Sequence, residues 1–205
     1  MTLQWYGPDV LAVADELTEA YAEVFTAPPW EPRDFEETRV EFRERLETDV
    51  RRPGFRAVLA LSEGGGVDGF ATGWTTQAPF RTDRAYGKVT RRLGAERVNE
   101  LLVGRFEIDE LGVRSRARGT GLGRRLLSAL SSGAPGGRAW LMTWNGAPDA
   151  LAFYRRAGWR EPEPLPGEET DMVVFVAPDR PDGEAPGFGA QASVHWLGGA
   201  QASGN

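Results

Sequence analysis

The sequence predicts an α/β (α+β) fold in which a mixed central sheet carries helices on its faces. Three observations carry this: two amphipathic helical stretches come first, a pair of apolar strands joined by glycines follows, and from Phe106 onward strands and helices alternate. A tight hairpin makes an antiparallel pair, whereas strand, helix, strand makes a parallel one, so the sheet is not wholly parallel. The 205 residues, 40% of them hydrophobic, suffice for one domain with a sizeable core.

The helical stretches cover about residues 10–25 and 34–50, separated by the breaker Pro28-Pro29-Trp30-Glu31-Pro32. Residues 55–61 and 67–76, joined through Gly64-Gly65-Gly66, read as the hairpin. A polar loop containing Pro79 and a helix at about 95–103 lead to a strand at 106–113. A helix from about 124 to 130, a strand at 139–143, a helix at 150–159 and a closing strand at 172–176 complete the domain, placed at residues 1–177. Beyond it, residues 178–205 are rich in Gly, Ala, Pro and Ser, and Gly-Ala-Gln-Ala-Ser occurs at 189–193 and again at 199–203. This low-complexity composition predicts a disordered tail, with Val194-His195-Trp196-Leu197 as a short apolar stretch able to dock.

Composition removes several classes of function. The chain has no cysteine, which excludes disulfides and thiolate chemistry, and its one histidine, His195, argues against a histidine triad or a zinc site, so no metal is expected. A net charge of −6 argues against a nucleic-acid surface. No signal segment and no run of 18 apolar residues appear, so the expectation is a cytoplasmic protein without a membrane partner.

Against this acidic background, residues 114–125 hold Arg114, Arg116, Arg118, Arg124 and Arg125 and no acid. Within them Gly119, Gly121 and Gly123 alternate between the strand ending at Val113 and the next helix. Glycines here remove the Cβ atoms that would keep an anion from the backbone, and the first amides of the helix have no partner inside it. Those amides and the helix dipole favour phosphate, with charge-assisted bonds worth about 1.5–3 kcal/mol each. A nucleoside-triphosphate loop would end in Gly-Lys-Ser/Thr, but Arg124-Arg125 follow Gly123; a dinucleotide turn would space its glycines differently and place an acid at the end of the next strand, where residues 138–143 have none.

The run from Glu110 to Leu127 resembles the coenzyme A signature of the GNAT superfamily of acetyl-coenzyme A-dependent N-acetyltransferases. Leu111-Gly112-Val113 matches its Leu-x-Val, and Arg116, Gly119 and Gly121 match its Gln/Arg-x-x-Gly-x-Gly/Ala. A second block stands in the order that family requires: the strand at 139–143, then the helix of Phe153-Tyr154 ending at Gly158. The resemblance spans about residues 10–177, with its motifs in 106–159. It implies a mostly antiparallel sheet in which two parallel neighbours, 106–113 and 139–143, splay apart to admit the cofactor. It also implies acetyl-coenzyme A as acyl donor, held by Leu111, Gly112, Val113, Arg116, Arg118, Gly119, Thr120, Gly121, Leu122, Gly123, Arg124, Asn145 and Tyr154. One departure concerns the asparagine that many relatives carry seven residues before the tyrosine: here Ala147 stands there, and Asn145 two positions earlier.

An alkyl ammonium of pKa about 10.4 must lose a proton before it attacks an acyl group, at a cost of roughly 4–5 kcal/mol at pH 7. The acids beside the cleft are Glu107, Asp109 and Glu110. Strict alternation puts Glu110 on the face opposite the other two, and a bulge would reverse that. Glu110 is the first choice of base and Glu107 the second, the alternative for each being a carboxylate paired with a nearby arginine. By the resemblance, Tyr154 protonates the leaving thiolate; otherwise it is a core aromatic beside Phe153. Trp30, Trp74 and Trp144 are candidates to line an acceptor pocket. The reaction expected is direct transfer of acetyl in a ternary complex to the primary amine of a small molecule or peptide, the alternative being a coenzyme A-binding regulatory module without catalysis. No residue signature names the acceptor or the oligomeric state.

Overall fold

The computed structural model describes residues 2–178 apart from 84 and 169. Strand β1 (Thr2–Tyr6) leads through a 3-10 turn into helix α1 (Ala14–Phe25), followed by α2 (Phe35–Asp49) and the hairpin of β2 (Arg56–Leu61) and β3 (Val67–Thr75). Helices α3 (Tyr86–Leu93) and α4 (Ala95–Leu101) precede β4 (Phe106–Val113), and α5 (Leu122–Ser132), β5 (Ala139–Trp144), α6 (Pro148–Arg156) and β6 (Met172–Val176) follow. The strands form one six-stranded sheet in sequence order, every neighbouring pair antiparallel except β4 and β5. The expected mixed sheet, mostly antiparallel with one parallel pair, is therefore what the chain forms.

Both faces are covered, which explains the near-continuous apolar run of β2. Val58 and Ala60 pack with Leu122, Leu126 and Leu130 of α5, while Ala57 and Leu59 pack with Leu17, Phe42 and Leu46 of α1 and α2. Further along the second face, Tyr86, Val89 and Leu93 of α3 and Val98 of α4 cover Trp140 and Val174. Helix α2 starts where the breaker segment ends because the Asp34 side chain accepts from the Glu37 amide at 2.8 Å, satisfying one of its free N–H groups.

Two elements lie outside the sequence expectation. Strand β1 is a five-residue edge strand paired only with β2, and residues 86–93, read as part of a polar loop, form α3. Helix α4 ends at Leu101, two residues before the expected limit. The tail motifs, including His195, lie outside the described residues. Among the described residues no helix is long and apolar enough to cross a membrane.

Candidate active site

The site is made where the sheet comes apart. Among the described residues the β4–β5 ladder runs through Phe106↔Ala139, Glu107↔Trp140 and Ile108↔Leu141 and ends there, while β4 continues to Val113. The Arg114 amide donates to Asp68 O on the β3 side at 2.9 Å, and alternation therefore turns the backbone groups of Val113 and Leu111 toward the gap. Consistent with this, Val113 O accepts from Arg118 Nε at 3.2 Å.

Beyond β4 the chain makes a short 3-10 turn at Ser115–Ala117, closed by a Thr120 Oγ1 bond to Ala117 O at 2.8 Å, and enters α5. Gly119 and Gly121 have φ of 76° and 78°, the left-handed region that disfavours any side chain, and Gly121 is the residue capping α5. A Cβ at either would meet no atom within 4 Å, so this side of the turn is open. It opens into a cavity of ≈ 410 Å³ whose lining includes Val113, Arg118, Leu122, Gly123, Arg124 and Arg156. A second cavity of ≈ 310 Å³ shares Val113, Arg118, Gly123 and Phe153 with it and reaches Leu111, Gly112, Ala147 and Tyr154, with Pro28, Pro29 and Trp30 on its other wall. Free helix amides and guanidinium groups at one end, and strand backbone with apolar walls at the other, fit a pyrophosphate carrying an extended arm, as in coenzyme A.

The basic cluster divides. Arg116, 54% exposed, is bound to Asp68 at 2.6 Å and lines neither cavity; Arg114 donates to Glu23 at 2.6 Å, tying the end of β4 to α1. Arg118 and Arg124 line the groove, and so does Arg156 of α6, which sequence reading did not single out. Its signal was the Arg155-Arg156 pair closing the helix. Asn145 is exposed, its amide donating to Asp171 O at 2.8 Å, and it lines neither cavity, whereas Ala147 is buried against the second.

The acids are rearranged by a bulge. In the β3–β4 register Gly73 faces Ile108 and Thr72 faces Glu110, which leaves Asp109 as the extra residue. Glu107 and Glu110 therefore share one face, that of α1–α4. Glu110 is ion-paired with Arg45 of α2, whose guanidinium also donates to Tyr21 Oη at 3.1 Å and lies 5.0 Å from the Phe42 ring centroid. Arg45 was not legible in sequence, since nothing in α2 marks one of its arginines as facing inward. Glu107, 1% exposed, accepts from Tyr86 Oη at 2.6 Å; burial first, then the charge of Asp109, push its carboxyl up to about 8. Tyr154 is packed among Phe153, Trp159 and Phe175, and burial, then the Glu110 charge, hold its hydroxyl above the ordinary value. Of the three tryptophans, Trp74 is core, while Trp30 lines the second cavity with its ring centroid 6.4 Å from that of Trp144.

Comparison with known proteins bears on family and fold. The family model described as acetyltransferase (GNAT) family matches residues 14–159. Among solved structures, the chain is similar to an acetyltransferase from Thermus thermophilus, at 22% identity and a TM-score of 0.51 over 87% of this chain and 97% of that one. It is similar to a histone acetyltransferase HPA2 and related acetyltransferase from Corynebacterium glutamicum, at 17% and 0.53 over 90% and 100%. A third similar structure is a GNAT superfamily phosphinothricin acetyltransferase from Sinorhizobium meliloti in complex with AcCoA, at 20% and 0.50 over 87% and 89%. At these identities the likeness is one of fold. No curated protein matches the chain in sequence.

Proposed function

The chain belongs to the acetyltransferase (GNAT) family, and on that premise we propose that it moves an acetyl group from acetyl-coenzyme A to a primary amine of a small molecule or peptide, by direct transfer in a ternary complex. The observation that carries the proposal is the open, left-handed Gly119–Gly121 turn, which delivers the free amides of α5 to the gap between β4 and β5.

Bound acetyl-coenzyme A supplies an acyl group activated as a thioester. The chain's own residues do the rest. Helix amides after Gly121, with Arg118, Arg124 and Arg156, hold the phosphates, and the backbone of Leu111 and Val113 aligns the arm along β4. In the transfer a C–N bond forms and a C–S bond breaks; one proton leaves the amine and one reaches the sulfur. In its ionised form Glu107 takes the first, directly or through water, and burial raises the proton affinity of that carboxylate so that it becomes available as a base near pH 8. Sequence reasoning ranks Glu110 ahead of it. The ion pair with Arg45 reverses that order here, since protonating Glu110 means breaking the pair. Tyr154 keeps its proton at neutral pH and donates it to the departing sulfur.

The competing reading, a coenzyme A-binding module without catalysis, is favoured by that same engagement of Glu110. Calorimetric titration with acetyl-coenzyme A, of the protein and of Gly121→Glu, tests the site first: micromolar binding lost in the variant supports it, and no binding by the unmodified protein overturns it. A screen of amines for acetyl transfer then separates enzyme from binding module, because binding without any turnover leaves only the latter.

A further inference from the structure

A third cavity, of ≈ 120 Å³, shares no lining residue with the cofactor groove. Glu107 is its buried carboxylate, the rings of Trp74, Phe80 and Tyr86 wall it, and Arg52 and Arg81 bring two guanidinium groups to it. By the measure in which one water needs about 10–15 Å³, this space holds roughly ten waters, room for the head group of a small acceptor.

Both arginines are fixed in place. Arg52 donates to Asp49 at 2.6 Å and its guanidinium carbon stands 4.6 Å from the Trp74 ring centroid; Arg81 donates to Asp83 at 2.9 Å and stands 4.6 Å from that of Tyr86. Their side chains are 24% and 26% exposed, against 1% for the Glu107 residue, so they border the entry and the carboxylate lies within. Arg81 Nη1 is buried and has no hydrogen-bond partner among the described residues. A buried guanidinium N–H without an acceptor is costly, and an acceptor oxygen arriving with a ligand removes that cost.

We infer that this cavity selects an acceptor bearing an anionic group close to its amine, with the anion held by Arg81 Nη1 and Arg52 and the amine presented to Glu107. The inference rests on the acetyl transfer proposed above. Neither an uncharged tail nor a second ammonium brings an acceptor oxygen to Arg81 Nη1, which counts against simple amines and polyamines alike. A carboxylate and a phosphate both supply the required oxygens.

The test is steady-state acetylation with acetyl-coenzyme A, read by thiol release, against glycine and the L-amino acids other than cysteine and proline, O-phosphoethanolamine, spermidine and tyramine. The expected result is a kcat/KM for an amino acid or for O-phosphoethanolamine at least about tenfold above spermidine and tyramine, the two positive arms distinguishing carboxylate from phosphate. Arg81→Gln is expected to raise KM for that acceptor about ten- to hundredfold while sparing tyramine and the KM for acetyl-coenzyme A, and Arg81→Lys to recover part of the loss. Preference for spermidine or tyramine overturns the inference and leaves the transferase reading standing, as does an Arg81→Gln that weakens all acceptors equally. Cofactor binding with no acceptor turned over sinks both.

Discussion

Tyr86 Oη donates to Glu107 Oε1 at 2.6 Å, and this bond works against burial and the charge of Asp109, which together still push the carboxyl up to about 8. The folded protein therefore keeps a proton on Glu107 between about pH 4.5 and 8, where the unfolded chain has released it, and stability falls as pH rises through that window by up to about 1.4 kcal/mol per pH unit. Glu107→Gln removes this dependence. Thermal unfolding of the two proteins should coincide near pH 4.5, with the variant the more stable at pH 9; equal pH dependence in both would refute the assignment.

The two glutamates separate in kinetics. Glu107→Gln should lower kcat/KM by about 10²–10⁴ and abolish the rise in rate through pH 8. Glu110→Gln removes the nearest charge partner of Arg45, leaving it Tyr21 Oη at 3.1 Å and Asp49 at 4.0 Å, and its main effect should be a loss of about 1–3 kcal/mol of stability, measured by urea unfolding. A larger rate loss in Glu110→Gln than in Glu107→Gln would restore Glu110 as the base.

Cofactor affinity should follow the division of the arginines. Arg118→Gln, Arg124→Gln and Arg156→Gln each remove a cation from the groove and should weaken acetyl-coenzyme A about ten- to hundredfold in calorimetry. Arg116→Gln, which breaks only the pair with Asp68, should change affinity less than about threefold. A tenfold loss at Arg116 would mean that its side chain turns to the cofactor on binding.

Gly112 is held to glycine by its neighbour. A Cβ there would lie 2.4 Å from Phe70 Cζ and 2.7 Å from Cε1, and the Phe70 ring is fully buried against α1 and α2. Gly112→Ala should cost about 1–3 kcal/mol, and adding Phe70→Leu should recover part of it instead of adding to it. Denaturant midpoints of the two variants check this.

Much of the sheet was legible because its strands announce themselves locally: residues 55–61 and 106–113 are apolar or alternating runs bounded by turn residues. The turn at Gly119–Gly121 was legible for the same reason, since its glycines and the helix they open are contiguous. Helix α3 left a signal, Tyr86, Val89 and Leu93 at i, i+3 and i+7, but Gly87 and the flanking polar residues obscured it. What could not be read were pairings across long separations. The bond of Arg45 to Glu110 spans 65 residues and that of Arg116 to Asp68 spans 48, and a local charge count treats all such side chains as solvated. The bulge at Asp109 was open in the sequence as the alternative to strict alternation, and the partner strand decides it, because register is a property of two strands and β4 alone does not specify it.

The early end of the β4–β5 ladder gives this sheet an internal edge. Strand edges with unanswered amides and carbonyls normally invite another chain, and proteins blunt or cover them at the periphery. Here the edge lies within the sheet, beside the cavity that Leu111, Gly112 and Val113 line. The arm of the proposed cofactor, an extended ligand with alternating donors and acceptors, would lie there as a surrogate strand beside Leu111 and Val113. Occupancy then does what a seventh strand would do: it closes the seam, and amide exchange along β4 and β5 should slow together when the groove is filled.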